Sequence, residues 1–293
     1  MSGHEWLAER FEENRGHLRG VAYRMLGSAS EADDAVQEAW LRLSRSDADS
    51  IENLGGWLTT VVARVCLDML RSRKSRREEP MEVGGVEPTA KREDGGDPER
   101  EAVLADSVGL ALLVVLDKLT PAERLAFVLH DLFAVPFEEI GEIVGRSAMA
   151  ARQLASRARR RVQGVPTAGE TDLNGQRELV ERFLAALRAA DVEGLVAILD
   201  PEFVIHIDKS ALPEGAQREV RGARRWAEQA VAFRGARHAT AALVDGAVGV
   251  VVAPRGRLFR VLRFNFVDGR IAGAEVVADP ERLSRLDLGV LPD

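Results

Sequence analysis

PFEEIGEIVGRSAMAARQLASRARRRV, residues 136–162, divides at Gly145 into two helical patterns. The first half spaces Ile140, Ile143 and Val144 as one inward face, which predicts a short helix over residues 138–144. Gly145-Arg146-Ser147 reads as a turn, with Ser147 a good N-cap for a second helix over residues 148–162. Two helices joined by a short glycine-bearing turn match a helix-turn-helix. In that motif the second helix enters the major groove of DNA and its early side chains meet base edges. Arg152, Gln153, Ser156 and Arg157 fall on one side of it. Arginine pairs with guanine and glutamine with adenine, each pairing supplying about 1–3 kcal/mol of discrimination. Arg159, Arg160 and Arg161 partly face phosphates and set position rather than sequence. The competing reading is a solvated basic helix.

Upstream, Thr120-Pro121-Ala122-Glu123 is a capping box with proline at the first helical position. The helix it opens includes Leu125, Phe127, Val128 and Leu132, and helices are expected from near Pro98 to Leu119. Residues 78–100 break all periodicity with Pro80, Gly84, Gly85, Pro88, Gly95 and Gly96, and read as a flexible acidic linker. Residues 5–77 are helical again. Gly27 is a C-cap and Ser28-x-x-Glu31 a second capping box. Ala35, Val36, Ala39, Trp40 and Leu43 then mark a core face, and Asp34, Gln37, Glu38 and Leu41 the opposite one. Residues 47–56 are a polar loop, and residues 57–71 a largely buried helix.

The chain of 293 residues is long enough for two or three domains, and 46% hydrophobic content supports real cores. No apolar run is long enough to span a bilayer. Residues 1–10 carry Glu5 and Glu9 and lack a signal peptide's apolar stretch, so a cytoplasmic protein is expected. The single cysteine, Cys66, allows no internal disulfide and reads as core packing. The five histidines show no ligand spacing, so no metal site is expected. There is no phosphate-binding glycine loop, and no cofactor is expected.

Net charge is −7. Yet Arg71, Arg73, Lys74, Arg76 and Arg77 form one basic block, and residues 157–161 another. Two basic patches on an acidic body bind free DNA poorly, because long-range repulsion opposes the local attraction. A partner that holds the chain on DNA resolves this.

Residues 164–173 form a second linker, with Gly164, Pro166 and Gly169. Beyond it, residues 179–199 hold two amphipathic helices divided near Asp191. Strand-like runs follow at residues 203–207, 242–252, 257–267 and 270–277, with Asp268-Gly269 a hairpin signal between the last two. Helices followed by an antiparallel sheet give an α+β domain.

The run from Asp33 to Leu43 (DDAVQEAWLRL) resembles region 2.2 of sigma factors. Trp57-Leu58-Thr59-Thr60-Val61-Val62-Ala63-Arg64, with Asp68 and Arg71, is similar to regions 2.3 and 2.4. Leu119-Thr120-Pro121-Ala122-Glu123-Arg124 and the helix-turn-helix resemble region 4. Regions 2 and 4 alone, joined by a short linker, are the pattern of extracytoplasmic-function sigma factors. The resemblance implies a region 2 bundle over residues 5–77 and region 4 over 101–163. It also implies two DNA elements as targets, and core RNA polymerase as partner through its β′ clamp helices and β flap. Asp33, Asp34, Gln37, Glu38 and Leu41 would bind the β′ clamp helices. Arg64, Asp68, Arg71, Arg73, Lys74, Arg76 and Arg77 would hold the −10 element, captured single-stranded with a base turned out near Arg64, Asp68 and residues 47–53. Ser147, Arg152, Gln153, Ser156, Arg157 and Arg160 would meet the −35 duplex. At Arg64 many family members carry asparagine.

Residues 174–285 resemble a SnoaL-like domain, an α+β cone of the wider NTF2-like group. The likeness rests on element order, on the run LVERFLAAL at residues 179–187, and on Asp191 and Gly194. Asp279-Pro280-Glu281-Arg282-Leu283 is similar to a motif near the end of sigma factors that carry this fusion. Ile207-Asp208-Lys209-Ser210-Ala211 stands where they carry a glycine-rich one. The fused group implies a regulatory domain that packs on regions 2 and 4, through the linkers and Asp279, Pro280 and Leu283, and responds to polymerase or to a small molecule in the cone. His206 and Asp208 lie two apart on a strand, hence on one face. They read either as base and orienter of an isomerase-like site or as a polar pair on a sheet face. The whole is expected to be no enzyme. Two alternatives are a helix-turn-helix regulator acting without polymerase, and a small-molecule-binding or isomerase-like domain fused to a DNA-binding module.

Overall fold

The computed structural model describes residues 3–46, 51–78, 109–167, 169–213 and 215–292. All but the first residue of the acidic linker therefore lies outside the described residues, as do residues 101–108 and residues 47–50 of the expected loop. The described residues fall into two compact units, one of residues 3–78 with 116–159, the other of 109–115 with 160–292.

The first unit opens with three packed helices, α1 (Gly3–Leu26), α2 (Ala29–Leu43) and α3 (Leu54–Glu78). Gly27, at φ +72°, ends α1, and the Ser28 hydroxyl accepts from the Glu31 amide to start α2. The inward face of α2 is Ala29, Ala32, Ala35, Val36, Ala39 and Leu43, mostly small, so its axis lies close to its neighbours. Trp40 caps that face against the Phe11 ring at 5.1 Å. Helix α3 begins before Trp57, because Asn53 Oδ1 accepts from the Gly56 amide at 3.0 Å and draws both glycines into the first turn. It then runs on through the basic block.

The same unit continues through α4 (Leu110–Asp117, of which Leu116 and Asp117 belong here), α5 (Pro121–Phe127), α6 (Phe137–Val144) and α7 (Ala148–Gln163, up to Arg159 here). The capping box is complete: Thr120 Oγ1 accepts from the Glu123 amide at 3.4 Å, and Glu123 Oε2 accepts from the Thr120 amide at 3.2 Å. Helix α5 then widens into a π-turn, Val128–Leu132, which periodicity did not reveal. Phe133 follows, and its ring lies against α1. His17 meets it edge-on at 5.2 Å and the Arg24 guanidinium covers it at 5.3 Å. Arg124, only 3% exposed, donates from Nε to the Arg24 carbonyl at 3.1 Å and stands 3.6 Å from the Asp117 carboxylate. Burial pulls its pKa down to about 10, against the opposing charge of Asp117.

The second unit carries α8 (Glu170–Arg188), α9 (Val192–Ile198) and α10 (Ala223–Ala230) with a seven-stranded sheet. Its strands are β1 (Leu199–Ile207), β2 (Glu219–Arg221), β3 (Ala239–Val244), β4 (Ala247–Val252), β5 (Arg260–Val267), β6 (Arg270–Val277) and β7 (Leu288–Gly289), with α11 (Pro280–Arg285) before the last. The order is β2-β1-β6-β5-β4-β3-β7; only β1 and β6 run parallel. The architecture is the expected α+β fold. Residues 242–252, expected as one run, belong to two strands that turn at Asp245-Gly246, with φ +48° and +85°. Asp268-Gly269 repeats that geometry at +48° and +71°, the twist a two-residue hairpin needs. The core joins Phe183, Phe203 and Trp226, with Phe183 stacked on Trp226 at 5.6 Å.

The residues expected as a second linker are tied down within this unit. Thr167 donates from its amide to the Gly246 carbonyl at 2.9 Å, and the Val290 amide bonds the Val162 carbonyl at 2.7 Å. A side chain on Gly164 would stand 2.8 Å from Leu243 and 3.2 Å from Gly289, so the two glycine backbones meet directly.

Candidate functional site

Three surfaces of the first unit carry the residues singled out from sequence. On α2 the alanine face turns Asp33, Asp34, Gln37, Glu38 and Leu41 the other way. Asp33 accepts from Arg19 Nε at 2.7 Å, and Glu38 from Arg42 Nε at 2.9 Å. Leu41, 39% exposed, sits beside these acids as an uncovered apolar contact. Surface of this kind favours a partner that is itself cationic and partly apolar.

On α3, from Leu58 to Arg71, the exposed side chains are Arg64, Asp68 and Arg71, one line at helical spacing. Trp57 and Thr60 extend that line, half-buried. Asp68 and Arg71 pair at 3.8 Å. Arg73 departs from expectation. It is ion-paired with Glu31 and donates from Nη1 to the Leu26 carbonyl at 3.1 Å, so it faces inward rather than toward DNA. The cause is local: the last residue of α1 has a carbonyl with no helical partner, and Glu31 brings an anion to the first turn of α2. Lys74, Arg76 and Arg77 lie on the helix, but their side chains are outside the described residues.

On α7 the inward face is Ala151, Leu154, Ala155, Ala158 and Val162, each apolar and buried. Burial of a residue the size of Leu154 contributes about 1.5–3 kcal/mol. This leaves Arg152, Gln153, Ser156, Arg157 and Arg160 exposed on the other side. The Arg152 guanidinium lies 5.3 Å over the Phe137 ring, which restricts its swing. Arg159 is drawn aside to Asp131, with Nε at 3.0 Å. Ser147 Oγ accepts from the Ala150 amide at 3.2 Å, the expected cap. Gly145 takes φ +69° at the turn. Gly141 sits where a Cβ would stand 2.7 Å from the Arg146 carbonyl, so only glycine lets α6 reach the turn.

In the second unit His206 and Asp208 have separate partners. His206 pairs across the strands with Glu219 at 3.4 Å and is exposed. Asp208 accepts from the Asp279 amide at 3.2 Å, the Ala278 amide at 3.4 Å and Arg282 Nη1 at 3.1 Å. Burial raises the Asp208 pKa, but these hydrogen bonds outweigh it and hold the carboxyl below its ordinary range. Asp279 caps α11 through the Arg282 amide at 3.0 Å, Pro280 occupies its first turn and Leu283 is buried. Asp208 thus lies just past the end of β1, anchored at the start of α11, while His206 faces solvent beside Glu219.

Sequence reasoning missed Arg124, Phe133 and Met149. Arg124 stands four residues before Val128 on the apolar line of its helix, a signal for an inward arginine. Met149 heads the exposed line of α7 that continues through Gln153 and Ser156, and that position was legible from spacing. Among the described residues no group of histidine, cysteine, aspartate and glutamate could hold a metal, and no helix is long and apolar enough to cross a membrane.

Comparison with known proteins accords with this layout. The chain matches the family models described as Sigma-70 region 2, over residues 10–76, and Sigma-70, region 4, over residues 109–162. It is 44% identical over 214 residues to the ECF RNA polymerase sigma factor SigJ of Mycobacterium tuberculosis (strain ATCC 25618 / H37Rv), spanning 72% of this chain and 68% of that protein. To the probable ECF RNA polymerase sigma factor SigI of Mycobacterium tuberculosis (strain CDC 1551 / Oshkosh) it is 33% identical over 294 residues, spanning 99% of each. A crystal structure of Mycobacterium tuberculosis SigJ aligns at 32% identity with a TM-score of 0.44, covering 94% of this chain and 98% of that one.

Proposed function

Because the chain belongs to the extracytoplasmic-function RNA polymerase sigma factors, we propose that it acts by binding, as a promoter-specificity subunit. Its acidic α2 face grips the polymerase and its two basic helices grip DNA. The observation that carries this is the division of charge within one unit: carboxylates and Leu41 outward on α2, arginines outward on α3 and α7. A stand-alone repressor has no use for the first of these surfaces.

Asp34, Gln37, Glu38 and Leu41, with Asp33, meet the cationic β′ clamp helices, and region 4 rests on the β flap. Arg64, Asp68 and Arg71, with Lys74, Arg76 and Arg77 beyond them, take the single-stranded −10 element, and Trp57 offers an aromatic face for a base on the same line. Arg73 is not in this set. On α7 Arg152, Gln153, Ser156 and Arg157 read −35 bases, while Arg160 and the Ser147 end of the helix hold phosphate.

Regions 2 and 4 are closed on each other through Phe133 and Arg124. The two promoter elements are centred about 25 base pairs apart, roughly 85 Å of duplex at 3.4 Å per step. One compact unit cannot reach both, so initiation requires α5 to part from α1. The C-terminal α+β domain regulates that opening, and no catalytic step is assigned to it.

The test is transcription in vitro with core polymerase. The full chain is expected to initiate at a defined site, and the Asp34→Lys, Glu38→Lys double variant to lose core binding while keeping its fold. Equal core binding by the variant overturns the role of α2; no initiation by the native chain overturns the proposal entirely.

A further inference from the structure

Met149 is 72% exposed, more than any other large apolar side chain among the described residues. It sits in the first turn of α7, directly after the Ser147 cap. Met149, Gln153, Ser156 and Arg160 recur at i, i+4, i+7 and i+11, so they form one line down the helix. The inward face lies opposite, so Met149 packs no core. It also stands at the end of the helix that penetrates deepest in a helix-turn-helix.

An uncovered methionine here gains nothing in free solution. It can neither donate a strong hydrogen bond nor pair with phosphate. Its thioether is flexible and polarisable, suited to an apolar partner of loosely fixed position. Within the major groove only one base edge is apolar: the 5-methyl of thymine. Arg152 and Gln153 beside it supply the polar contacts.

We propose that Met149 is a specificity-determining residue, reading a thymine methyl group in the upstream promoter element. This rests on the sigma-factor reading above and adds a base identity to it. The contact demands thymine within reach of the first turn of α7, and it distinguishes thymine from uracil, which differs by that methyl alone.

The test uses holoenzyme assembled from the full chain and core polymerase. A promoter is selected from a random duplex pool, and the protected upstream segment is mapped. Each thymine in that segment, on either strand, is then replaced singly by deoxyuridine. One replacement is expected to weaken native binding about fourfold, the worth of one buried methyl group. With Met149→Ala the thymine and deoxyuridine promoters should bind equally, while Met149→Leu keeps the difference. Arg152→Ala, a control, should weaken both promoters and preserve their ratio. Indifference of the native protein to every replacement, or methyl sensitivity that persists in Met149→Ala, overturns the assignment. So does a selected segment without thymine. Absence of any protected upstream segment is a different result, and sinks the sigma-factor reading together with this one.

Discussion

Arg124 and Arg24 are a hundred residues apart in sequence, yet the guanidinium of the first donates to the backbone carbonyl of the second at 3.1 Å. This bond joins α5 of region 4 to the last turn of α1, at a point almost closed to water. A buried guanidinium costs desolvation, and its partners only partly offset it.

Replacing Arg124 by alanine leaves the Arg24 carbonyl unmatched in a buried place and should weaken the closed unit by about 1–3 kcal/mol. Arg124→Met keeps the volume without the charge and should cost less. Hydrogen exchange at α5, followed in the full chain, checks both.

Cys66 provides a built-in reporter of that closure, being the only cysteine in the chain. Its side chain is fully buried, and burial pushes the thiol up to about 12. Thiol reagents at pH 8 should therefore react very slowly with the native protein. The Arg124 charge favours the thiolate, so Arg124→Glu raises the thiol further, and faster labelling of that variant would report opening of the packing. Rapid modification of the native chain would contradict the burial.

His17 makes the packing sensitive to mild acid. Burial lowers its pKa below 6.5, between Thr59 Oγ1 at 3.2 Å and the Phe133 ring, which also carries the Arg24 guanidinium. The packed state thus favours neutral imidazole, and the opened state takes up the proton. Stability from this group is complete above the ordinary histidine value and is lost as pH falls below it. Melting temperature should drop between pH 7 and 5.5 in the native chain, and the slope should flatten in His17→Gln.

On α7 two substitutions should separate base reading from phosphate contact. Arg152→Ala is expected to relax preference at one base pair, at a cost of about 1–3 kcal/mol. Arg160→Ala should weaken all promoters alike and reduce the salt slope by about one. Affinity measured on matched and mismatched promoters at several salt concentrations distinguishes them.

In the second unit Asp208→Ala should loosen the start of α11, leaving the Ala278 and Asp279 amides without that acceptor, while Arg282 keeps Glu275. A loss of about 1–3 kcal/mol is expected. His206→Ala, whose partner Glu219 remains solvated, should be nearly neutral by denaturant unfolding.

Much of this molecule was legible because its signals are local. The cap at Ser147, the box at Thr120 and the hairpin at Asp268-Gly269 depend on residues within a turn of one another, and the structure has all three. The exposed lines on α2 and α7 follow from helical spacing alone. What stayed hidden depends on distant partners. Nothing near Arg73 in sequence announces Glu31 and the Leu26 carbonyl, and nothing near Phe133 announces His17. For His206 and Asp208 an isomerase-like pair and a polar pair both stayed open, because the Asp208 partners at Ala278, Asp279 and Arg282 are distant in sequence. The start of α3 was misplaced because two glycines outweighed one asparagine cap.

Gly141 has a consequence for how such a protein changes over time. The seating of α6 on the turn is fixed by a missing side chain, and the seating of α7 by its buried alanines and Leu154. Met149, Gln153 and Ser156 carry none of that structural duty. Substitutions at these three can retune the preferred promoter with little penalty to folding, so the chain is free to acquire new target genes while its scaffold stays the same.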